Sequence, residues 1–373
     1  MNNTMGIIIT GGRNDHMKEL ASKRSVTATP IGGKYRAIDF VLSNMVNSEI
    51  NKVGVVTQYS YRSLMDHLGS GKEWDLDRRN DGLYVFPPYL EGDKIGMYRG
   101  SAEGMYNNLS FLRRSNEEYV IIATGNCIYK MVYDDLLTYH IDKEADMTIV
   151  YRDMIDFDKE ELKNLGIIDV DSHGRVTDLL EKPLHPKSTN GSLGIYILKR
   201  TLLISLLEES AARGHYDFVK DIIIRNLNNI KIFGYPFTGY WRSMSSVNLF
   251  YQCNMEMLKP EIRKELFDEG GRIFTKVKDE TPAKYNQEAD VKNSIVADGC
   301  IIEGTVVNSV LFRGVVVKKG AIVKDSIIMQ DSIIEENVQL NNVILDKEVV
   351  ITEGKFLKGE LNYPMIVGKK SQI

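Results

Sequence analysis

Short apolar runs alternate with longer, helix-like stretches over the first two thirds of the chain. The runs are rich in β-branched residues and end at glycine or polar positions, which is typical of buried strands. Strands that alternate with helices predict a mostly parallel sheet covered on both faces, and hence an α/β domain. The predicted strands are Gly6–Thr10, Lys52–Thr57, Tyr119–Ala123 and Asp146–Val150, and a helix is predicted over Ser101–Arg114.

The last third of the chain has a different period. Apolar residues recur every six positions, which fits neither a strand nor an α-helix. This spacing predicts a parallel β-helix, in which the repeated side chains point into a narrow prism. An earlier pair, Val296 and Ile302, keeps the spacing in another phase, which predicts an insertion near Asn308. The six-residue series consists of Val310, Val316, Ile322, Ile328, Ile334 and Leu340.

The two patterns predict the domain organisation. Residues 1–258 are expected to form the α/β domain and residues 289–373 the β-helix domain. Between them, residues 259–288 are expected to form a helical segment and a linker. The helical pattern itself runs over Phe250–Gly270, and the extended linker over Gly271–Tyr285.

The composition excludes several classes of protein. The 47 Lys and Arg residues and 51 Asp and Glu residues give a net charge of −4, whereas domains that bind nucleic acid usually carry a basic excess. The cysteines, Cys127, Cys253 and Cys300, are widely spaced, so reduced thiols are expected rather than a zinc site or disulfides. No run approaches the ~18 apolar residues of a membrane span. The N-terminal apolar run Ile7–Ile9 is too short for a signal peptide, so a cytoplasmic protein is predicted.

The sheet and the β-helix suggest different places for chemistry. In open α/β sheets, ligands bind beyond the carboxyl ends of the strands, which directs attention to the loops after Ile9 and Ala123. Many hexapeptide-repeat proteins are instead acyltransferases with a histidine base on the β-helix. All 6 histidines of this chain precede the repeats, so the β-helix is predicted to pack on its partner domain and to build oligomers.

Several motifs in one order give the chain a family resemblance. It resembles the ADP-glucose pyrophosphorylases, or glucose-1-phosphate adenylyltransferases. The resemblance implies a Rossmann-like nucleotidyltransferase domain with a mostly parallel mixed sheet, followed by a left-handed β-helix. It also implies the conversion of ATP and glucose 1-phosphate to ADP-glucose and pyrophosphate in glycogen biosynthesis. The motifs are Gly11–Arg13, Ile31–Asn44, Tyr98–Glu103, Gly125–Met131, Glu181–Pro183, Ser192–Tyr196 and Gly239–Arg242.

The resemblance places the family's catalytic groups on residues that lack the required chemistry. The family uses a glycine-rich loop with an arginine, a Lys-Pro pair and two aspartates that hold Mg²⁺. Gly11 and Gly12 remain as a remnant of the nucleotide loop, but neutral side chains replace both metal-binding carboxylates. No catalytic residue, metal site or cofactor is therefore expected in this chain, and Mg²⁺ is expected in a catalytic partner. The replaced positions are Asn14, His16, Val26 (with Thr27 after it), Asn126 and Ser243.

The sugar half of the family's site is present by the same comparison. Lys182 is expected to meet the phosphate of glucose 1-phosphate, and Glu181 to accept from sugar hydroxyls. Gly166 lets the ligand approach the backbone. Alternatively, Glu181 and Lys182 form a salt bridge that is retained only for the fold. The full set of sugar-phosphate residues implied is Tyr98, Gly166, Glu181, Lys182 and Ser192.

A site with replaced catalytic residues, a sugar-phosphate half that is present and a β-helix domain together resemble the non-catalytic, regulatory GlgD-type subunit of Gram-positive bacteria. The resemblance implies a heterotetramer with a catalytic ADP-glucose pyrophosphorylase subunit. Two alternatives stay open: an active nucleotidyltransferase with an atypical metal site that uses Asp134 or Asp135, and a hexapeptide acyltransferase or purely structural module. Near the N-terminus, four basic residues are predicted to lie on a solvated helix rather than to bind an anionic effector. They are Arg13, Lys18, Lys23 and Arg24.

Overall fold

A computed structural model describes residues 3–12, 14–88 and 97–373, with only the backbone of residues 159 and 160, and it contains an α/β domain followed by a parallel β-helix. The strands of the α/β domain are β1 Thr4–Ile9, β2 Pro30–Ile31, β3 Tyr35–Arg36, β4 Lys52–Val56, β5 Gly82–Phe86, β6 Tyr119–Thr124, β7 Cys127–Tyr129, β8 Met147–Asp153, β9 Gly166–Val170, β10 Val176–Glu181, β11 Asn190–Lys199, β12 Ile232–Pro236 and β13 Trp241–Ser243.

The main sheet is mixed, and its strand order places the ends of β1 and β6 side by side. The order is β10-β9-β11-β6-β1-β4-β5, with β8 between β11 and β12. β1 is parallel to β4 and β6, whereas β11 runs antiparallel to β6 and β8. The four strands predicted from apolar runs are all present as β1, β4, β6 and β8, which confirms the α/β class. In the described part of the chain, no helix is both long and apolar enough to cross a membrane.

The helices are shorter than the sequence pattern predicts. The segment Ser101–Arg114 forms two helices because Asn108 bonds through its side-chain amide to the Gly104 carbonyl, 2.8 Å away, in competition with the helical backbone. Pro260 begins a new helix within the second predicted segment. The helices are α1 Ala37–Asn47, α2 Arg62–Leu68, α3 Ser101–Tyr106, α4 Leu109–Arg113, α5 Asp134–Asp142, α6 Lys159–Leu162, α7 Arg200–Ala212, α8 Ile224–Asn226, α9 Val247–Glu256 and α10 Pro260–Phe267. Short 3₁₀ segments span Asp15–Ala21, Val26–Ala28 and Lys72–Trp74, and a π-helix spans Phe218–Ile223.

The β-helix has three parallel five-stranded faces. Its strands begin at Lys284, before the predicted boundary at residue 289. The first face contains Lys284–Tyr285, Ile301–Ile302, Val316–Val317, Ile333–Ile334 and Val350–Ile351. The second contains Asp290–Lys292, Thr305–Val307, Ile322–Lys324, Gln339–Asn341 and Phe356–Lys358. The third contains Ile295–Val296, Val310–Leu311, Ile327–Ile328, Val343–Leu345 and Met365–Val367.

The prism interior does not follow the strict six-residue series. Val316 pairs with Ile333, so a coil is one residue shorter than three six-residue steps. Residues six positions apart therefore do not keep the same orientation from coil to coil. Ile322 is 41% exposed, whereas its neighbour Val323 is buried inside the prism. The prediction that Val310, Val316 and Ile322 point inward was wrong. Leu311, Val317 and Val323 take that place, and Val310 packs in the cluster at the domain boundary.

The change of phase in the repeats also has a different origin from the one predicted. Ile301 pairs with Val316, and Thr305 pairs with Ile322. The step from Ile301 to Thr305 is therefore two residues shorter than the step between their partners on the next coil. This shortened step before residue 305, rather than an insertion near Asn308, shifts the phase.

One corner of the β-helix is a ladder of side chains in the left-handed backbone region. Asn308, Asp325 and Asn342 have φ of +46°, +46° and +52°, a conformation that Asn and Asp tolerate better than most residues. Their side chains stack from coil to coil, with Asn308 Nδ2 3.3 Å from Asp325 Oδ1. Tyr251 of α9 docks on this ladder by donating to the Asp325 carbonyl oxygen (2.6 Å) and lies 2.9 Å from Asn342 Oδ1.

The third face of the β-helix packs against the α/β domain, and both contribute to one buried cluster. Phe312 and Met329 of the β-helix are buried there together with Phe40 and Phe250. Arg24 crosses the boundary and forms an ion pair with a β-helix carboxylate, so the prediction that it lies on a solvated helix was wrong. Its neighbours in that prediction, Lys18 and Lys23, are exposed, and Arg13 lies outside the described residues.

A small basic cavity of about 60 Å³ lies at the same boundary. Burial lowers the pKa of Lys347 to about 7, and the positive charges of Arg36, Arg24 and Lys278 add to this effect, while Asp346 opposes it. The boundary is therefore positively charged as well as apolar. The basic residues that line the cavity are Lys34, Arg36, Lys276, Lys278, Arg313 and Lys347.

Candidate functional site

A cavity of about 590 Å³ opens beyond the carboxyl ends of β1 and β6, where the strand order predicts a ligand site. It brings together residues that are far apart in the chain, from Gly11 to Ser243. Both halves of the predicted site meet in this one space. The predicted residues in its lining are Gly11, Gly12, Asn14, His16, Val26, Asn126, Gly166, Glu181, Lys182, Ser192 and Ser243.

The two loops at the strand ends are packed closely, and glycine makes this possible. Gly11 turns the chain at the end of β1 with φ of +76°, a conformation that glycine adopts without steric cost. Gly125 follows β6 and donates to the Ile9 carbonyl at 2.9 Å. A Cβ at position 125 would lie 2.7 Å from Thr27 Cγ2, so no other residue fits there without displacement.

The two positions at which the family pattern places aspartates lie side by side. β7 and β13 form an antiparallel pair in which Ser243 is opposite Cys127, and the Met244 amide donates to the Asn126 carbonyl at 2.9 Å. Both side chains are neutral. Glu181 is the one carboxylate in the described lining of the cavity, and the described residues contain no cluster of three His, Cys, Asp or Glu side chains arranged for a metal. These residues do not fit a magnesium ion, which prefers several oxygen ligands that include carboxylates.

Asp134 and Asp135, the substitutes considered for an atypical metal site, lie elsewhere. They begin helix α5, are exposed, and do not line the cavity.

Cys127 does line the cavity, but burial raises the pKa of its thiol to about 12, so it stays protonated and is a poor nucleophile at neutral pH.

The remaining replaced positions make neutral contacts of their own. Asn14 donates to the Ser245 carbonyl (2.8 Å) and accepts from the His16 amide (3.0 Å), so it ties the loop after β1 to the loop after β13. Thr27 donates to the Thr10 carbonyl at 3.0 Å, and Val26 packs in the buried cluster of the domain boundary. The loop is thus held by neutral hydrogen bonds and apolar contacts where the family pattern has cations.

The side of the cavity that is predicted to hold the sugar contains a charged pair, Glu181 and Lys182. A Cβ at Gly166 would lie 3.1 Å from Glu181 Oε2, so the absence of a side chain makes room for this carboxylate. Burial raises the pKa of Glu181, although Lys182 acts in the opposite direction. Lys182 Nζ is 3.9 Å from Glu181 Oε1, and its side chain is 62% exposed. An ion pair that is this long and this exposed adds little to the stability of the fold. Ser192 completes this wall at the bulge in β11.

Tyr98 is the predicted sugar-site residue that the structure separates from the others. It lines a neighbouring cavity of about 410 Å³, which shares Gly11 and Gly12 with the first. Its ring is buried, its hydroxyl donates to the Pro87 carbonyl at 3.1 Å, and its own carbonyl accepts from Gln58 Nε2 at 2.5 Å.

Some residues in the cavity lining were not predicted. Trp241 lies within a motif used for the resemblance, so its aromatic character was a signal that could have been followed. Asn164 and Leu165 come from the segment between β8 and β9, and no spacing or motif marks them in the sequence. Their place in the site depends on the tertiary path of that segment.

The fold and the cavity define a nucleotidyltransferase-type α/β domain joined to a hexapeptide-repeat domain. The family model "Nucleotidyl transferase" matches residues 5–260, and the model "GlmU-like, C-terminal hexapeptide" matches residues 279–359.

Three relatives make the assignment more specific. The chain is 38% identical to a glucose-1-phosphate adenylyltransferase of Bacillus cytotoxicus, over 98% of this chain and 97% of the relative. It is 38% identical to that of Bacillus mycoides over 97% and 96%, and 40% identical to that of Geobacillus stearothermophilus over 83% and 80%. The chain belongs to the glucose-1-phosphate adenylyltransferase family.

Proposed function

We propose that this chain is a regulatory, largely non-catalytic subunit of a glucose-1-phosphate adenylyltransferase that makes ADP-glucose for glycogen biosynthesis. One observation carries the proposal. The cavity keeps the positions of both halves of the site together, yet it contains one carboxylate, Glu181, and one lysine, Lys182, and no arginine among the described lining residues.

The chemistry explains why this lining matters. When a sugar phosphate attacks the α-phosphorus of ATP, negative charge accumulates on the phosphate oxygens and needs preorganised positive charge. Asn126, Ser243 and Val26 supply none. Loss of a single preorganised electrostatic group can cost on the order of 10²–10³ in rate, and several are missing here.

The same site supports binding of a sugar monophosphate. Lys182 extends from the wall and can form a charge-assisted hydrogen bond to one phosphate group. The Glu181 carboxylate, in the space left by Gly166, can accept from sugar hydroxyls. Glucose 1-phosphate is therefore the proposed ligand, and it binds without being turned over.

The proposed partner is a catalytic ADP-glucose pyrophosphorylase subunit, in a heterotetramer of the GlgD-type arrangement found in Gram-positive bacteria. Mg²⁺ acts in that partner. Support comes from the last coil of the β-helix, where the large side chains of Phe356, Leu361 and Tyr363 are 63%, 69% and 68% exposed. Large apolar side chains that are exposed are available for association with another subunit.

The alternatives have less support. An atypical metal site needs acidic residues in the cavity, and Asp134 and Asp135 do not line it. A hexapeptide acyltransferase needs a histidine on the β-helix, and all 6 histidines precede it in the sequence.

The proposal is tested by measuring ADP-glucose formation from ATP and glucose 1-phosphate. The purified chain alone should give little or no product. Added to a catalytic subunit from the same cell, it should change that subunit's rate or its response to effectors. A matched control is the Phe356→Glu, Leu361→Glu variant, which should no longer have this effect. Turnover by the chain alone within the usual enzyme range of ~1–10³ s⁻¹ would refute the proposal.

A further inference from the structure

Arg242 lies between two residues that line the cavity, but its own side chain points away from it. Successive residues of a strand face opposite sides, so Trp241 and Ser243 face the cavity, while Arg242 enters an ionic network beside it. Its guanidinium binds Glu256 of α9 through two bonds of 2.7 and 3.0 Å, and Glu161 through one of 3.2 Å.

The bond to Glu161 anchors the segment that connects β8 to β9, residues 154–165. Arg242 makes a second contact with this segment, because its guanidinium also lies 4.3 Å from the centre of the Phe157 ring. All three charged side chains, Arg242, Glu161 and Glu256, are less than a fifth exposed. The bonds are therefore shielded from water and stronger than those of a surface pair. By contrast, Ile155 of the same segment is 73% exposed.

The other end of the segment holds Lys182. The Lys182 amide donates to the Leu165 carbonyl at 3.1 Å, and Lys182 has φ of +52°. A lysine is strained in this left-handed conformation and keeps it only when its surroundings impose it. Asn164 and Leu165 themselves form part of the cavity wall. The segment therefore holds the turn at Lys182 from one side, while the pairing of Glu181 with Gly166 holds it from the sheet.

We propose that Arg242 is a positioning residue for the sugar-phosphate site. It acts through Glu161 and the 154–165 segment to fix the left-handed turn at Lys182, so that the ammonium group is preorganised for a phosphate. This inference rests on the proposed binding of glucose 1-phosphate to the cavity. It assigns a role to a side chain that cannot reach the ligand itself.

The test removes the charge of Glu161 and leaves the Arg242–Glu256 pair in place. Glu161→Gln should weaken glucose 1-phosphate binding roughly three- to tenfold in calorimetry, the range expected when a charge-assisted hydrogen bond becomes a neutral one. Hydrogen exchange of the Lys182 amide should become faster, because its bond to Leu165 is less well held. Glu208→Gln, which breaks the exposed Arg113–Glu208 pair, is the control and should change neither quantity.

The outcomes separate this inference from the proposed function. Unchanged affinity together with unchanged exchange at Lys182 would overturn the positioning role. Faster exchange throughout the α/β domain would also overturn it, because Glu161 would then be a general stabilising residue. If the wild type fails to bind glucose 1-phosphate but Glu161→Gln speeds exchange at Lys182 alone, the positioning role stands and the proposed ligand is wrong.

Discussion

Arg24 and Asp346, which are 322 residues apart, form a two-bond ion pair across the domain boundary. The Arg24 Nη2 atom lies 2.7 and 2.9 Å from the two carboxylate oxygens, and the side chains are only 6% and 2% exposed. Removing one partner leaves a buried charge uncompensated. Asp346→Asn should therefore lower the free energy of unfolding by about 3–5 kcal/mol, measured by denaturant unfolding.

The double variant Arg24→Met, Asp346→Leu gives the matched comparison, because apolar residues of similar volume often replace a buried pair at little cost. It should be clearly more stable than Asp346→Asn. A single variant that costs less than about 1 kcal/mol, the value of an exposed pair, would show that the boundary admits water.

Lys347 should make stability depend on pH. Its pKa is lowered from 10.5 to about 7 in the folded protein, so the folded state binds fewer protons than the unfolded state between these values. Stability contributed at this site therefore rises as pH increases from about 7 to about 10.5 and is lowest below 7. Lys347→Met should flatten the slope of unfolding free energy against pH over this window. An unchanged slope would contradict the burial of a charged ammonium group here.

Lys182 should provide most of the affinity for glucose 1-phosphate. Lys182→Ala removes the one lysine in the described lining of the cavity, and a hydrogen bond to a charged group is worth about 1.5–3 kcal/mol. Calorimetry should show affinity reduced roughly tenfold or more. Lys187→Ala, at a nearby exposed lysine outside the cavity lining, should bind as the wild type does. Equal losses in both variants would point to nonspecific charge attraction.

Restoring the family's groups should recover activity only as a set. Groups that act together contribute non-additively, so each single reversion should give almost no ADP-glucose. The full set should give detectable, magnesium-dependent synthesis, well below that of a native enzyme, because supporting contacts differ as well. One such contact is Asn14 to Ser245, which must be removed before the loop can change shape. The changes are Asn14→Gly, His16→Arg, Val26→Lys, Thr27→Pro, Asn126→Asp and Ser243→Asp.

Measurement of product with and without Mg²⁺ checks this prediction. A full revertant that folds and binds glucose 1-phosphate but remains inert would show that the loop geometry was lost together with the side chains. Wild-type activity that disappears in Asp134→Asn or Asp135→Asn would instead favour the atypical enzyme.

Assembly should depend on the exposed end of the β-helix. Phe356→Glu with Leu361→Glu places charge at two exposed apolar positions of the last coil and should reduce the mass of the complex with a catalytic subunit in light scattering. Ile141→Glu, at a half-exposed position on helix α5, is the control and should leave the mass unchanged. Truncation after Thr281 is a weaker test, because it would uncover the buried cluster that the two domains share. An unaltered complex in the double variant would place the interface elsewhere.

The sequence predicted four strands of the main sheet and the location of the cavity, because both depend on local pattern. Apolar runs marked β1, β4, β6 and β8, and the motifs marked most of the lining. Long-range contacts left no such signal: nothing near Arg24 indicates a partner at Asp346, and nothing near Leu165 indicates its bond to Lys182. The separation of Tyr98 into its own cavity likewise depends on the packing of α3.

The middle coils of the β-helix all have the same length, which keeps the inward-facing positions in register from coil to coil. Loss of one residue within a strand would turn the later side chains of that strand from the interior to the surface. Loss of one complete coil would delete one layer and leave the others in register. The last coil shows where the β-helix tolerates extra residues. Val343 pairs with Met365, a wider separation than that of Ile327 and Ile344 in the coil before, because residues 359–364 leave the wall and return. Changes in length within this domain are therefore expected as whole coils or at a corner, as in the shortened step before residue 305 and the excursion of residues 359–364.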